Sequence, residues 1–355
     1  MNRRVQAHYG RHVTKLIIQI PCFNEEETLA ATLADLPREI DGVDVIEVLV
    51  IDDGSTDRTV DVARTAGVAH IVSNGVNRGL AQSFQRGLDA ALRAGADVIV
   101  NTDGDNQYRG ADVAALVKPI LEGRADVVVG DRQTDRIAHF SPLKKKLQKA
   151  GSRVVARLAG ADIADAVSGF RAFSREAAMG LTVRSTFSYT TETLIQAGRK
   201  RLRIQSVPIR TNKVERPSRL FRSIPQFLVR TGRTMVRAYA MYEPLKIFMI
   251  LGVLLMVAGA LPIVRFIVHY VAGDGAGMIQ SLVLGGVLFL MGGLSAMFAL
   301  VADLVAYNRQ LLELTLERVR KIEYALDQEL SSKEQRFPAE KLRGELAALK
   351  TRIGG

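Results

Sequence analysis

Asp103 and Asp105 stand two residues apart around Gly104, directly after the apolar run Val98-Ile99-Val100, and Gln107 follows two residues on. On an extended strand end, residues i and i+2 share a side. The spacing therefore predicts two carboxylates and an amide oxygen facing one ligand. An all-oxygen donor set suits Mg²⁺ or Mn²⁺ rather than zinc, and such ions keep positions for substrate phosphates. A solvated Asp-Gly turn would carry the same letters, but other strand ends in this chain are acidic too. Val45 to Ile51 ends in Asp52-Asp53, and Ala125 to Val129 ends in Gly130-Asp131-Arg132. Strand ends rich in carboxylates, followed by helices, mark the ligand edge of an α/β sheet. Ser55 and Asp57 are expected as helix N-caps, which leaves Asp52 and Asp53 for ligand.

The elements that must position these groups alternate. Lys15 to Pro21, Val45 to Ile51, His70 to Val72, Asp97 to Val100, Ala125 to Val129 and Ile204 to Arg210 read as strands. Helices are expected after Glu25-Glu26-Glu27 with Leu29, Leu33 and Leu36 on one face, over Leu80 to Ala94, over Asp112 to Glu122 and over Ser141 to Ala159. A mixed helix is expected from Ser174, and Phe187 to Gln196 reads as a strand end running into a helix. Alternation at this spacing predicts an α/β fold with a mainly parallel, doubly wound sheet. Gly75 and Gly79 do not form a GxGxxG, so a dinucleotide site has little support.

The 355 residues carry a net charge of +11, one cysteine (Cys22) and no tryptophan. A single cysteine excludes an intrachain disulfide and fits a cytosolic catalytic domain. The N-terminus is basic but has no apolar core, so it does not read as a signal peptide. Basic residues crowd between Arg199 and Tyr242, where Glu215 is the only acid. Such a block suits nucleic acid or an anionic membrane, and the two apolar segments that follow favour the membrane over nucleic acid. Spans are expected at about 245–268 and 279–302, joined by Ala272 to Gly277 without Lys or Arg. Basic outer flanks place both termini and the catalytic domain in the cytoplasm. Arg222, Arg230, Arg233 and Arg237 alternate with apolar residues, as in an interfacial amphipathic helix. The domain boundaries so read are 1–14 (tail), 15–222 (catalytic), 223–243 (juxtamembrane helix), 244–307 (membrane hairpin) and 308–355 (helical tail). The stripe Leu312, Leu316, Val319, Ile322, Leu326 and Leu330 suits a partner helix, and a homo-oligomer is expected.

The motifs IPCFNEEETL (Ile20 to Leu29), VIDDGSTDRT (Val50 to Thr59), TDGDNQ (Thr102 to Gln107), VVGDR (Val128 to Arg132), DAVSGFR (Asp165 to Arg171) and RPSRL (Arg216 to Leu220) occur in one order. As an ordered set the chain resembles family-2 glycosyltransferases of GT-A fold, a Rossmann-like architecture. It is similar in particular to polyprenyl-phosphate glycosyltransferases related to dolichol-phosphate mannose synthase. The membrane hairpin resembles bacterial members that glucosylate undecaprenyl phosphate.

The resemblance implies that Pro21, Phe23, Glu25, Ile51 and Asp53 hold the base and ribose of a nucleotide sugar. It implies that Asp103, Gly104 and Asp105 meet the diphosphate, with Asp103, Asp105 and Gln107 as ligands to Mg²⁺ or Mn²⁺. Arg132, Lys213, Arg216 and Arg219 would lie on phosphates of donor or acceptor, although the spacing around Arg216 departs from the mannose synthases. Asp165 matches a carboxylate discussed as a catalytic base; orienting groups or metal is the role expected of it first. The expected activity is inverting transfer of a hexose, UDP-glucose or a related UDP-hexose favoured, to polyprenyl phosphate at a bacterial inner membrane. The alternatives are a GDP-mannose donor, a hydroxyl acceptor in a glycolipid-forming enzyme, or an inactive membrane scaffold. A processive polysaccharide synthase with a QxxRW motif is excluded by the absence of tryptophan.

Overall fold

The computed structural model describes residues 13–133, 142–183, 189–212, 243–273 and 279–336. Lys213, Arg216, Arg219 and the expected amphipathic helix over 223–242 lie outside the described residues. The chain divides into two units, one comprising Met1–Arg222 with Leu316–Gly355, the other Ser223–Thr315.

The first unit is built on a seven-stranded sheet. In chain order the strands are β1 (Lys15–Cys22), β2 (Val45–Asp52), β3 (His70–Ser73), β4 (Val98–Asn101), β5 (Val127–Asp131), β6 (Arg171–Ser174) and β7 (Ile204–Pro208). Their spatial order is β3-β2-β1-β4-β6-β5-β7. The apolar run in β1 has seven of its eight residues buried, as a central strand covered on both faces requires. It pairs in parallel with β2, Cys22 opposite Asp52, and with β4, Gln19 opposite Asn101. Each fully buried Ile or Leu there contributes about 1.5–3 kcal/mol.

The helices are α1 (Leu29–Asp35), α2 (Thr59–Thr65), α3 (Leu80–Arg93), α4 (Val113–Leu121), α5 (Pro142–Ala159), α6 (Arg175–Gly180) and α7 (Tyr189–Arg199). α3 buries Phe84, Leu88, Ala91 and Leu92 at helical spacing. The strand β6 was not expected. It runs antiparallel between β4 and β5, with Arg171 opposite both Asn101 and Val129. Residues 187–188 fall outside the described residues, and from Tyr189 onward the expected strand end is helix. Asp57 supports the start of α2 as expected, its Oδ1 accepting from Thr59 N at 3.0 Å, whereas Ser55 does not, and the N-cap position itself is Arg58. Ser55 Oγ instead accepts from Asn24 N at 3.0 Å and Asp57 Oδ2 from Glu26 N at 3.1 Å, tying the β1 and β2 exits together.

The second unit contains α8 (Pro244–Val271) and the first part of α9 (Ile279–Arg336). Both helices are long and apolar enough to cross a membrane, with mean hydropathies of 2.7 and 2.1 over their most apolar stretches. They pack through glycine: a Cβ at Gly259 would stand 2.7 Å from Gly285 O, and one at Gly252 would stand 2.8 Å from Gly292 O. Ser295 Oγ donates to Phe248 O at 2.9 Å. Small residues let membrane helices approach this closely.

The boundary expected at residue 307 is not a break, since α9 runs through it to Arg336. From Leu294 to Arg336 there is no Gly or Pro to stop a helix. Within the first unit, the end of α9 docks by its polar face. Glu317 meets Lys200 at 2.5 Å, Arg320 donates to Leu181 O at 3.0 Å, and Glu323 meets Arg93 at 2.9 Å. The buried Tyr324 donates to Asp89 at 3.4 Å. Val319, Ile322 and Leu326, expected to seat a partner helix, stay exposed.

Candidate active site

Because β1, β2, β4 and β5 point the same way, Cys22, Asp52, Asn101 and Asp131 all end at one edge of the sheet. Since β6 runs the other way, the loop from Asp165 to Phe170 enters the sheet at that same edge. The topology therefore gathers the DxD segment, the β5 exit and the DAVSGFR loop.

The DxD segment is a turn rather than an extended strand end. β4 stops at Asn101, and Asn106 has φ +56°. The i, i+2 alternation expected for Asp103, Asp105 and Gln107 is thus lost beyond Asn101. Asp105 Oδ1 instead accepts from Gln107 N at 3.1 Å, closing the turn on itself. Gln107 is held by its main chain, whose carbonyl accepts from Asn212 N at 2.9 Å. Thr28 and Thr32 both donate to Gly104 O, at 2.9 and 3.1 Å, and so hold the turn against α1. Gly104 must lack a side chain, because a Cβ there would stand 2.9 Å from Cys22 Sγ.

Charge is crowded at this turn. Burial, then the neighbouring Asp105, push the Asp103 carboxyl up to about 7; Glu25 adds to the rise and Arg132 opposes it. Carboxylates in mutual repulsion, with oxygen the only donor atom, are the situation a hard divalent cation relieves. Among the described residues no three His, Cys, Asp or Glu side chains close around one point. The Cys22 thiol is pushed well up by burial and by Glu25, Asp52 and Asp103, so it is no thiolate nucleophile.

Arg132 and Asp165 face each other directly. Arg132 Nε lies 2.7 Å from Asp165 Oδ2 and Nη2 lies 3.0 Å from Oδ1, with side chains 9% and 2% exposed. Burial opposes the Arg132 charge, but Tyr108, Asp165 and Asp103 outweigh it and hold the guanidinium above the ordinary arginine range. Asp165 Oδ1 also accepts from Val167 N at 3.3 Å. Both oxygens of Asp165 are therefore engaged inside the protein.

The expected nucleotide residues are partly brought together. Pro21 and Ile51 are adjacent across the β1–β2 ladder, and Phe23 is 38% exposed just beyond. Ile51 is fully buried beneath α3 near Gly87, so it offers the ligand edge only main chain. Glu25 accepts from Thr28 Oγ1 at 2.7 Å. Asp53 is turned inward: its oxygens accept from Asn74 Nδ2, Arg78 N and Gly79 N at 2.8–2.9 Å. It anchors the loop into α3, and Asp52 likewise accepts from Ser55 N and Ser73 Oγ, both at 2.9 Å. Gly54 enables this approach with φ +77°, where a Cβ would also meet the Val76 carbonyl carbon at 2.6 Å.

Sequence reading missed the polar layer behind the turn. Asn101 Nδ2 donates to Gly169 O at 2.9 Å and to Tyr189 Oη at 3.0 Å, while its Oδ1 accepts from Gln19 at 2.8 Å. Tyr108 Oη accepts from Gly169 N at 3.0 Å, and its ring stacks on Phe170. Burial pushes the Tyr108 phenol up to about 12, so it stays protonated. The aromatic and amide letters flanking the DxD were the signal, but their partners lie 61–88 residues away.

The profile described as "Glycosyl transferase family 2" matches residues 17–181. The chain is 33% identical over 198 residues to a dolichyl-phosphate hexose transferase of Haloferax volcanii, covering 55% of this chain and 81% of that one. It is 28% identical over 213 residues to a UDP-N-acetylglucosamine–dolichyl-phosphate N-acetylglucosaminyltransferase of Methanococcus voltae, covering 54% and 83%. It is 26% identical over 205 residues to an undecaprenyl-phosphate mannosyltransferase of Micrococcus luteus, covering 55% and 82%.

Proposed function

The chain belongs to glycosyl transferase family 2, and we propose that it transfers a hexose from a nucleotide diphosphate sugar to a polyprenyl phosphate at a membrane. The observation that carries this reading is the meeting, at one sheet edge, of the Asp103–Asp105 turn with the Arg132–Asp165 ion pair. The three relatives are named for a hexose, N-acetylglucosamine and mannose, and all three names carry a polyprenyl-type phosphate. The two apolar helices supply a means of staying where such a lipid resides.

The acceptor phosphate oxygen attacks the anomeric carbon, the bond from that carbon to the diphosphate breaks, and the nucleoside diphosphate leaves with the electron pair. Attack from the opposite face inverts the anomeric centre. A phosphate monoester is largely ionised near pH 7, its second pKa being about 6, so no protein base is needed to make it a nucleophile. That agrees with an Asp165 whose oxygens are already engaged. Asp165 holds Arg132 rigid and charged, and Arg132 stabilises negative charge developing on the leaving diphosphate. Asp103 and Asp105 would hold Mg²⁺ or Mn²⁺, which supplies Lewis-acid stabilisation of the same charge. Pro21, Phe23 and Glu25 border the place of the nucleotide base. Lys213, Arg216 and Arg219 remain assigned to phosphates on sequence grounds.

UDP-glucose or a related UDP-hexose is the favoured donor, GDP-mannose the rival. Both termini in the cytoplasm and self-association through the hairpin and α9 complete the proposal. Incubating the purified protein with undecaprenyl phosphate and a panel of nucleotide sugars, then identifying the lipid product, tests it. A lipid carrying one hexose is expected. Nucleotide-sugar hydrolysis without a lipid product, or a sugar on a lipid hydroxyl, would refute it.

A further inference from the structure

The residue that closes the DAVSGFR loop is a fully buried arginine with no carboxylate in hydrogen-bond contact among the described residues. Arg171 is 0% exposed. Its Nε donates to Ser168 O at 2.8 Å and its Nη2 to Ala166 O at 2.8 Å. Its Nη1 donates to Thr190 O at 2.5 Å and Thr193 Oγ1 at 2.8 Å. Burial lowers its pKa to about 10, so the group remains a cation at neutral pH despite the cost of desolvation.

The four acceptors fall into two sets. Ala166 and Ser168 belong to the loop that starts with Asp165; Thr190 and Thr193 belong to the first turns of α7. The backbone of Arg171 is itself fixed in β6 opposite Asn101, which leads into the DxD turn. α7 reaches the same place, because Tyr189 Oη meets Asn101 and donates to Gly169 O at 3.4 Å. One planar guanidinium thus fixes the loop to the helix and to the strand from which the DxD emerges. An apolar residue there would leave the loop carbonyls and Thr193 without these partners. A lysine offers three N–H donors from one nitrogen and cannot span two acceptors on each side.

We propose that Arg171 is a positioning residue that holds the Asp165–Gly169 loop in register with the DxD turn, and thereby sets where the Arg132–Asp165 pair stands. The function so assigned rests on the transferase reading above; the clamp itself does not. A displacement of about 1 Å at such a site costs about a hundredfold in rate.

The test compares Arg171→Lys with Phe173→Leu, a core substitution in the same strand, in the full-length protein. Backbone amide exchange is measured over residues 166–169 and over β1 and β2, alongside melting temperature and steady-state kinetics. Arg171→Lys is expected to speed exchange at 166–169 at least about tenfold and leave β1 and β2 protected. It should lower kcat about thirty- to a hundredfold with the donor KM changed less than about threefold. Phe173→Leu should lower the melting temperature and keep kcat within about twofold. Thr193→Val removes one acceptor with little change in volume and should shift exchange and kcat in the same direction, by less. If Arg171→Lys does not fold, Thr193→Val alone decides. Unchanged exchange at 166–169, or a kcat loss matched by Phe173→Leu, would overturn the proposal. Should the wild type form no polyprenyl product, the transferase reading fails, while the exchange arm still decides the clamp.

Discussion

Arg132 and Asp165 are joined by two side-by-side hydrogen bonds of 2.7 and 3.0 Å, with Asp165 only 2% exposed. Two-point pairing of this kind fixes the guanidinium plane as well as its position. Both Asp165 oxygens accept hydrogen bonds within the protein, from Arg132 and, at Oδ1, from Val167 N. A carboxylate read in the sequence as a base candidate is, in the fold, the partner of an arginine 33 residues before it.

Removing one member of a buried pair is costly, about 3–5 kcal/mol, because the other charge is left alone. Asp165→Asn should therefore lower both stability and turnover, and Arg132→Lys, which keeps the charge but not the fork, should cost about ten- to a hundredfold in kcat. The decisive reading is the pH profile. With an ionised phosphate acceptor, residual Asp165→Asn activity should keep the wild-type alkaline shape. A residual rate rising tenfold per pH unit, as when hydroxide replaces a lost base, would count against this role.

Asp105→Ala should abolish the stabilisation of the protein by Mn²⁺ plus nucleoside diphosphate in a thermal-shift assay and lower turnover at least about a hundredfold. Its ligand-free melting temperature should stay near wild type. Full metal-dependent turnover in this variant, or wild-type turnover in excess chelator, would remove Asp103 and Asp105 from the metal site.

The raised Asp103 carboxyl makes a signed pH prediction. With its pKa pushed to about 7, the folded chain holds this proton more tightly than the unfolded chain, whose value is the usual 3.8. Between those values the folded state binds more protons, so this group's contribution to stability falls as pH rises and levels off above about pH 8. Asp103→Asn lacks the term. Ligand-free wild type should lose melting temperature relative to Asp103→Asn between pH 5 and 7.5. A constant difference, or one that grows the other way, would contradict the crowding of charge at the turn.

Glycines of the two apolar helices give a packing contrast. Gly259→Leu, whose Cβ would already meet Phe289 N at 2.6 Å, should push the two apolar helices apart. A cost of about 1–3 kcal/mol is expected, visible as a lower melting temperature in detergent. Gly286 has nothing within 4 Å, so Gly286→Leu should be tolerated by the monomer. Equal effects from the two would argue against the glycine-mediated packing.

Much of the first unit was legible because it is written locally. Buried apolar runs such as β1 announce strands, and the carboxylates that follow them announce the ligand edge. β6 escaped because Arg171-Ala172-Phe173-Ser174 has only two apolar residues and opens with a charge. The DxD turn was misread as extended because a positive φ at Asn106 has no periodic signature. The continuity of α9 was hidden by the change from apolar to charged residues after Tyr307, which alters solvent but not helix propensity. The inward turn of Asp53 and the pairing of Asp165 rest on contacts across 21–33 residues, which letters in sequence do not carry.

In the proposed reaction the new bond joins an anomeric carbon to a lipid phosphate. Phosphorus and proton NMR of the purified lipid product reads that bond directly. A phosphodiester in which the anomeric proton couples to phosphorus, with the configuration opposite to that of the nucleotide-sugar donor, is the result expected. A lipid phosphate left as a monoester with the sugar on a hydroxyl, or a product that retains the donor's configuration, would contradict the account.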